Sequence, residues 1–422
     1  MFTTFQEVES FFDTRKSLGI RPGLDRIQRL LGLLGDPQKE IQAIHVAGTN
    51  GKGSTVQYIK NALQANGYQV GVFISPSITG LTGHIYLNDT EIGNEEFLQL
   101  CNEIYPYIKQ LDNENLAPTE FEIITALGFL YFSLNGDIAL IEAGMGGRAD
   151  TTNCFQPIIS IITNIAKDHT RFLGETIAEI AYQKAGIIKR NAPVITGELD
   201  REAESVIELE AEKRKTGVYK LDEDFFYRRE KHQQFIWKGN HVQIETRLNM
   251  VGEHQAKNAS IALMALELLS DKGYSISFSK AGDAIAATRL AGRFELVSNE
   301  PIIILDGAHN PDGMAAFLST VEENFPHTYK HILFAAFKDK DLELMLEQIE
   351  NKFASITFTS FPHPRAAQTE QLFSSSSDVN KRIHDNWIEA VDEIIKKESG
   401  YYFITGSLNF IFLVRTYILA IK

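Results

Sequence analysis

The chain has 422 residues, a length typical of two or three domains, and its 44% hydrophobic and 23% charged residues exclude a disordered chain and a fibrous repeat. Lys and Arg number 41 against 55 Asp and Glu, so a net charge of -14 at pH 7 argues against a general nucleic-acid or anionic-membrane binder. With two cysteines, no apolar signal segment at the N-terminus and no run long enough to span a bilayer, the sequence predicts a soluble cytoplasmic protein of about two domains.

From about Ile41, short apolar runs alternate with helical patterns, which predicts a parallel α/β sheet. The predicted buried strands are IQAIHVAG (41–48), QVGVFIS (69–75), DIALIEAG (137–144), PIISIITN (157–164) and APVITG (192–197). The predicted helices cover residues 54–67, 120–134 and 175–188. Between about 218 and 250 the residues alternate around a turn at 238–240, which predicts a small antiparallel sheet. Helices are predicted to follow at about 254–270 and 279–289.

Residues 290–300 are the candidate hinge, because the alternation of strand and helix restarts after them. The later predicted strands include PIIILDG, HILFAAF, SITFTSF and YYFIT, with helices from Pro311, from Asp339 and near 387–397. Residues 361–380 are predicted to form a loop. The sequence therefore predicts an N-terminal α/β domain over 1–295, containing the small antiparallel sheet, and a second, smaller α/β domain of about five strands over 296–422.

The strongest local motif is Gly48-Thr49-Asn50-Gly51-Lys52-Gly53-Ser54-Thr55, between a predicted strand and a predicted helix. Glycines let backbone N–H groups point at phosphate oxygens, a lysine adds positive charge, and a Ser or Thr hydroxyl reaches Mg²⁺. The spacing differs from the common phosphate loop, since Val46 stands at the usual first glycine. We predict that residues 49–55 bind a nucleotide. A kinase-like or transport ATPase fits the loop alone, whereas the base-reading motif of GTPases is missing from residues 163–169.

Polar residues follow other predicted strands at the sheet edge where α/β folds place their sites. Glu142 precedes a glycine-rich turn that ends at Arg148, and His169 ends the second such segment. Both are candidate ligands of a divalent ion, the alternatives being a cap for Glu142 and a surface position for His169. In the second domain Asp306 lies in the segment LDGAHNP, where it or Asn310 could instead cap the next helix. Polar strand ends in two domains predict a cleft that closes over a nucleotide.

Motifs over nearly the whole chain resemble folylpolyglutamate synthase and its relative dihydrofolate synthase, in the Mur ligase superfamily. They are LDRI (24–27), LGDPQ (34–38), HVAGTNGKGST (45–55), TEFE (119–122), EAGMGGRADTTN (142–153), the run 163–189, GEHQAKNA (252–259), AGRFE (291–295), LDGAHNP (305–311), DKD (339–341) and PRAA (364–367). They occur in the family's order, and the ordered set is far more specific than any single motif.

The resemblance implies a Mur ligase-like fold with an N-terminal P-loop ATPase domain and a smaller C-terminal Rossmann-like α/β domain. It also implies an ATP-dependent reaction that joins L-glutamate to a folate or to dihydropteroate through an acyl phosphate. It implies that Gly51, Lys52 and Ser54 hold the ATP phosphates and one Mg²⁺. Ser75, Glu142 and His169 correspond to the ligands of a second Mg²⁺. Lys184 corresponds to a lysine that is carbamylated in the family, where its carboxylate helps to organise a metal. A further set, Asn258, Arg293, Asp306 and His309, corresponds to nucleotide or phosphate contacts.

Among all the residues that the resemblance singles out, the expected catalytic ones are Lys52, Lys184, Asp306 and His309. His309 is a candidate base for the incoming amine. Carbamylation suits a desolvated lysine, so Lys184 is expected to be buried; residue chemistry alone would make it an ordinary exposed helix lysine. By analogy the protein is expected to be a monomer that binds neither nucleic acid nor membrane.

The chain departs from the family pattern mainly in the segment from Ser75 to Ile85. Ser-Pro-Ser and Gly-His-Ile stand where Ser-Pro-His and Glu-Arg-Ile are usual, and Gln183 and Ala291 replace a Glu and a Pro elsewhere. The altered segment lies where the family handles the pterin. Two alternatives therefore stay open: a ligase for another carboxylate acceptor, and a nucleotide-binding P-loop ATPase without ligase activity.

Overall fold

The computed structural model describes residues 1–77, 79–230 and 233–421, which form two compact units. The first unit comprises Met1–Leu248 and Ala256–Thr288, and the second comprises Asn249–Gln255 and Arg289–Lys422. The predicted boundary after residue 295 thus differs from the division found by packing. Phe294 belongs to the hydrophobic core of the second unit and Val251 packs against that core, which explains why the segments that carry them group with it.

The first unit contains a mixed sheet with helices on both faces. Its strands are β1 Ala43–Ala47, β2 Val70–Phe73, β3 Ile85–Leu87, β4 Thr90–Glu91, β5 Ile138–Glu142, β6 Ile159–Ile162, β7 Val194–Thr196 and β8 Val218–Lys220. Its helices are α1 Phe5–Lys16, α2 Asp25–Leu33, α3 Lys52–Ala65, α4 Asn94–Asn113, α5 Glu120–Asn135, α6 Thr170–Leu173, α7 Ile177–Ala185, α8 Arg201–Arg214, α9 Glu253–Asp271, whose first three residues belong to the second unit, and α10 Phe278–Ala287.

Among the described residues this sheet has the strand order β4-β3-β2-β5-β1-β6-β7-β8. The six strands from β2 to β8 in that order run parallel, and β3 and β4 are antiparallel. On one face, alternate residues of β1, β2, β5, β6 and β7 pack with α1, α2, α4, α5, α7 and α8, while α3 contacts β1, β2 and β5. Burial on both faces explains why the central strands are continuous apolar runs. The parallel order also places the carboxyl ends of β2, β5, β1 and β6 side by side.

A second, antiparallel sheet in this unit has the order β11-β10-β9, with β9 Phe226–Arg229, β10 Gln234–Lys238 and β11 Gln243–Arg247. The turn at 238–240 joins β10 to β11, as predicted. The prediction was wrong for residues 218–220, which form β8 and extend the large parallel sheet through pairing with β7. Lys231 and His232, within the predicted antiparallel stretch, lie outside the described residues.

In the second unit the described residues form a sheet of order β12-β13-β17-β14-β15-β16. The elements are β12 Glu295–Asn299, β13 Ile302–Leu305, α11 Pro311–Asn324, β14 Lys330–Phe334, α12 Leu342–Ile349, β15 Ser355–Phe358, α13 Thr369–Ser375, β16 Lys381–Ile383, α14 Trp387–Ile395, β17 Tyr401–Thr405 and α15 Leu408–Ala420. The strands are parallel except β12, which pairs antiparallel with β13. Apolar clusters lie on both faces.

Three predictions for this unit are corrected. The candidate hinge at 290–300 contains β12, because those residues pair with β13 instead of forming an open linker. The described part of the sheet has six strands instead of about five. The sequence pattern missed β12 and β16 because neither has a long apolar run, and β16 is also short and largely exposed. Residues 361–380, predicted as a loop, include the helix α13. The two α/β units otherwise confirm the predicted fold class.

Candidate active site

The predicted phosphate loop lies between β1 and α3, where a buried strand turns sharply into a helix. Gly51 precedes α3 with φ of +83°, a conformation that favours glycine. A Cβ at this position would also overlap the Asn258 side chain, so Asn258 from α9 lies directly against the loop. The hydroxyl-bearing Ser54 and Thr55 are buried in the first turn of α3. The local structure therefore brings the predicted loop residues together with Asn258.

The loop is bound on its other side to the segment that follows β6. The Thr49 N–H donates to the Asn164 carbonyl at 3.0 Å, and the Asn50 N–H donates to the Asn164 side-chain oxygen at 2.7 Å. The Thr163 hydroxyl donates to the Asn50 carbonyl at 2.6 Å. Two of the predicted nucleotide-binding N–H groups are thus already paired, so we expect the phosphate-facing donors to come from residues 51–55.

Lys52 and Glu142 meet at the edge of the sheet. The Lys52 Nζ lies 3.9 Å from the Glu142 Oε1 and donates to the Gly48 carbonyl at 3.1 Å. Both side chains are mostly shielded from solvent, with 17% and 8% of their surface exposed. A Cβ added at Gly53 would lie 3.8 Å from the Glu142 Oε2, so this carboxylate faces the first turn of α3. A cation and a carboxylate are therefore held together beside the loop.

Lys184 is fully enclosed near the end of α7, a helix that begins with a capping box between Thr176 and Glu179. Burial, followed by repulsion from the Lys52 ammonium, lowers the pKa of Lys184 to about 7. The carboxylates of Asp168 and Asp150 act in the opposite direction. The expectation that Lys184 is desolvated agrees with this environment, and the reading of an ordinary exposed lysine is wrong.

His169 and Ser75 lie at the same edge of the sheet by topology. His169 precedes α6 with φ of +51° and follows β6, while Ser75 follows β2. The His169 Nε2 lies 3.9 Å from the Asp168 carboxylate. Among the described residues no group of three or more His, Cys, Asp or Glu side chains is close enough to hold a metal. The structure thus places the predicted metal ligands at adjacent strand ends, and their ligand role stays a prediction.

Asp150 was not among the predicted site residues, although it belongs to the motif at 142–153. Its buried carboxylate accepts the Met145 N–H at 2.7 Å and the Thr152 hydroxyl at 2.5 Å. Burial raises the pKa of Asp150. The signal that could have found it is a lone carboxylate after a glycine-rich turn, because such a turn needs an acceptor for its N–H groups.

The altered segment after β2 places a histidine among aromatic rings. The His84 ring stacks on Phe73 at a centroid distance of 6.0 Å and lies edge-on to Phe121 at 6.1 Å. Its Nδ1 lies 2.8 Å from the Ile74 carbonyl, to which it donates. Burial lowers the pKa of His84, which favours a neutral ring where the family pattern has an arginine. Ile78, in the middle of this segment, lies outside the described residues.

In the second unit, Asp306 follows β13 and is buried. Its carboxylate accepts the Phe294 N–H at 2.9 Å and the Ala308 N–H at 2.9 Å. Burial raises the pKa of Asp306, although the Arg293 guanidinium acts in the opposite direction. The His309 Nδ1 lies 2.9 Å from the Gly307 carbonyl. Arg293, which precedes β12, therefore lies beside the turn after β13 that carries Asp306 and His309.

The alternative of helix capping applies to a different residue of the same turn. The Asn310 side chain accepts the Gly313 N–H at 2.8 Å and caps α11, with Pro311 at its first position. Asp306 instead accepts the N–H groups of its own turn and of Phe294, so it does not serve as the cap.

One close approach in the first unit yields a stability prediction. A Cβ at Gly186 would overlap the Arg148 Cα and lie 2.6 Å from the Arg148 N. Gly186→Ala is therefore expected to lower the free energy of unfolding of the first unit by about 1–3 kcal/mol. Gly32→Ala is the control, because Gly32 is exposed in α2 with no heavy atom near its Cβ position, and it should raise that free energy by up to about 1 kcal/mol. Urea denaturation measures both, and equal midpoints would contradict the prediction.

Two family models match the chain: the Mur ligase middle domain over residues 46–266 and the Mur ligase glutamate ligase domain over residues 292–407. The dihydrofolate synthase/folylpolyglutamate synthase of Bacillus subtilis is 38% identical, over 98% of this chain and 99% of that protein. The chain belongs to the folylpolyglutamate synthase/dihydrofolate synthase family of Mur ligases. The predicted family and its enzyme class, an ATP-dependent ligase, are thereby confirmed.

Other family members support the same assignment. The folylpolyglutamate synthase of Lacticaseibacillus casei is 31% identical over 94% of both chains. The solved structure of Mycobacterium tuberculosis folylpolyglutamate synthase complexed with ADP and AMPPCP matches with a TM-score of 0.90 at 29% identity, over 98% of each chain. The Mur ligase fold of this chain rests on that match as well as on its own topology.

Proposed function

We propose that the protein is an ATP-dependent ligase that adds L-glutamate to the carboxylate of a folate, and that dihydropteroate is a second acceptor. The observation that carries the proposal is the edge of the first sheet, where Lys52 of the phosphate loop lies beside Glu142 and its ammonium repels the buried Lys184, in a member of this family. The named relatives support both acceptors, since one is called a folylpolyglutamate synthase and another carries both names.

The proposed reaction has two steps. An oxygen of the acceptor carboxylate attacks the γ-phosphorus of ATP, which forms an acyl phosphate and releases ADP. The neutral amine of glutamate then attacks the acyl carbon, the C–O bond to phosphate breaks, and the amide, phosphate and a proton are the products. Both steps bring anions together, so the Lys52 ammonium is expected to stabilise the charge that moves between them.

Nucleotide contacts are proposed in both units. In the first unit they are the loop residues Thr49 to Thr55, with Asn258 against Gly51. Thr49 and Asn50 are proposed to contribute by shaping the loop, because their N–H groups already bind Asn164. In the second unit the proposed contacts are Arg293, Asp306 and His309, and their proximity supports a common role. His309 is our candidate for the base that takes the proton of the amine.

The residues beside the loop suit Mg²⁺, and we propose two ions. The Ser54 hydroxyl and the Glu142 carboxylate are the hard oxygen donors that Mg²⁺ prefers, and the Glu142 carboxylate faces the first turn of α3, which also carries Ser54. Ser75 and His169 would complete the second set at adjacent strand ends. When bound, Mg²⁺ neutralises phosphate charge. Lys184 would join that set as a carbamate, which supplies a carboxylate where the sequence has none.

The test is the dependence of ADP release on the acceptor. Purified protein with ATP, Mg²⁺ and glutamate should release ADP when tetrahydrofolate is added, and separately when dihydropteroate is added. Omitting glutamate is the control, and it should prevent formation of the amide. Release that needs no acceptor would identify an ATPase without ligase activity and overturn the proposal. Stimulation by a different carboxylate alone would identify another acceptor, for which the neutral His84 provides a structural reason.

We further propose that the enzyme acts as a cytoplasmic monomer without nucleic-acid or membrane partners. The net charge of -14 supports the lack of affinity for polyanions. No described helix combines the length and apolar character needed to cross a membrane. Sedimentation at micromolar concentration tests the oligomeric state, and a dimer would contradict that part.

A further inference from the structure

The turn after β5 and the end of α7 are in direct backbone contact. A Cβ at Gly147 would lie 2.9 Å from the Lys184 carbonyl oxygen and 3.0 Å from that of Gln183. The glycine at 186 likewise makes room for the backbone of Arg148, whose N–H donates to the Gln183 carbonyl at 2.6 Å. Two glycines thus let the segment that follows Glu142 pack against the segment that carries Lys184.

The Arg148 side chain strengthens this contact. Its Nε donates to the Tyr182 carbonyl at 3.2 Å, and its guanidinium carbon lies 3.9 Å above the Tyr182 ring. One terminal nitrogen donates to the Glu210 carboxylate at 3.0 Å, while Arg214 donates to the other Glu210 oxygen at 2.9 Å. Burial alone would raise the pKa of Glu210, but the two arginines hold it below its ordinary value. A charged carboxylate therefore fixes the orientation of Arg148.

Asn153 closes the contact from the other side. Its side-chain nitrogen donates to the Gly186 carbonyl at 3.1 Å and to the Arg148 carbonyl at 3.2 Å. Carbonyls on both sides of Lys184 are therefore held by residues that follow Glu142 in the chain. Because Glu142 ends β5 and the turn starts two residues later, these contacts fix where Lys184 lies relative to that carboxylate.

We propose that Arg148 is a positioning residue that holds the backbone around Lys184 so that its carbamate is stable and correctly placed. This inference rests on the proposed function, in which Lys184 carries that group. The amine attacks the carbon of dissolved CO2, an N–C bond forms, and the proton lost from nitrogen goes to solvent. The reverse reaction regenerates the amine, so the carbamate persists only where the site favours it. Loss of Arg148 shifts this equilibrium toward the free amine.

The experiment titrates the full-length protein with ¹³C-labelled bicarbonate and follows the carbamate signal by ¹³C NMR. Arg148→Ala should raise the bicarbonate concentration at half occupancy by roughly tenfold, because it removes the hydrogen bond to the Tyr182 carbonyl and the contact with the Tyr182 ring. Arg148→Lys keeps the charge beside Glu210 but lacks the guanidinium fork, and it should shift in the same direction. Arg214→Ala is the matched control: Glu210 keeps the Arg148 guanidinium as its partner and stays charged at neutral pH, so the half-point should not change.

The outcomes separate the inference from the proposed function. An Arg148→Ala protein that is folded, by circular dichroism, and has an unchanged half-point would overturn the inference, and so would an unchanged half-point for Arg148→Lys. A carbamate signal missing from the unmodified protein at saturating bicarbonate would also overturn it. Acceptor-dependent ADP release by the unmodified protein is measured in parallel, and its loss would refute the ligase proposal whatever the NMR shows. A raised half-point in both Arg148 variants, with Arg214→Ala unaffected, supports the inference.

Discussion

Replacing Lys52 by alanine is expected to lower acceptor-dependent ADP release by about 10³-fold or more, since cations that contact transferring phosphoryl groups contribute effects of this size. The Lys52 ammonium lies 3.9 Å from Glu142 and is held by the Gly48 carbonyl, so it is already oriented at the phosphate loop. Steady-state ADP release with ATP, Mg²⁺, glutamate and tetrahydrofolate measures the effect.

Lys39→Ala is the control for a change of net charge. Lys39 is 67% exposed and pairs with Asp36 three residues earlier, and such surface pairs contribute little. Its activity should match that of the unmodified protein. If the Lys52→Ala protein kept more than a tenth of the normal rate, Lys52 would have no essential role in the proposed reaction. Calorimetric titration with a non-hydrolysable ATP analogue would then show whether the loop binds nucleotide at all.

Lys184→Ala is expected to lower ligation by about 10²-fold or more, because it removes the group proposed to organise a metal. A short carboxylic acid such as formate should restore part of the rate. The side chain is buried, with only 2% of the residue exposed, so its removal leaves an enclosed space in which a small carboxylate can replace the carbamate. The rate as a function of formate concentration measures the rescue.

Lys60→Ala is the matched control for this experiment, because Lys60 is also a buried lysine of the first unit, with 5% exposed, and pairs with Asp89. That variant should lose stability but show no response to formate. Activity of Lys184→Ala equal to that of the unmodified protein would exclude a carbamate role. If formate raised the rate of Lys60→Ala as much as that of Lys184→Ala, formate would be acting at another place.

Most of the fold could be predicted because its strands are buried on both faces. Continuous apolar runs such as those of β1, β5 and β6 are visible without any alignment. The strands that were missed or misassigned are short and half exposed. The residues of β8 and β16 are partly buried or exposed. These strands form because they hydrogen-bond to a neighbouring strand, and a local sequence pattern does not reveal that neighbour.

The candidate site could be predicted where a residue follows a buried strand. This applies to the phosphate loop, Glu142 and Asp306, because the ends of parallel strands meet at one sheet edge. Lys184 was found through family resemblance, since its burial depends on how α7 packs and not on its neighbours in sequence. Asp150 and Asn164 were not assigned roles, because their importance lies in hydrogen bonds to backbone groups of other loops.

The contact between Gly48 and Thr163 has a consequence for how the sequence can change. A Cβ at position 48 would overlap the Thr163 hydroxyl, which itself donates to the Asn50 carbonyl. Substitutions at these two positions are therefore expected to be epistatic: loss of the hydroxyl at 163 removes the worst overlap with alanine at 48, although φ of +153° still strains a side chain there, and it frees the Asn50 carbonyl. A lineage that changes both residues would have to pass through an intermediate with an impaired loop. Each residue therefore limits which substitutions the other can accept, although Gly48 follows β1 and Thr163 follows β6.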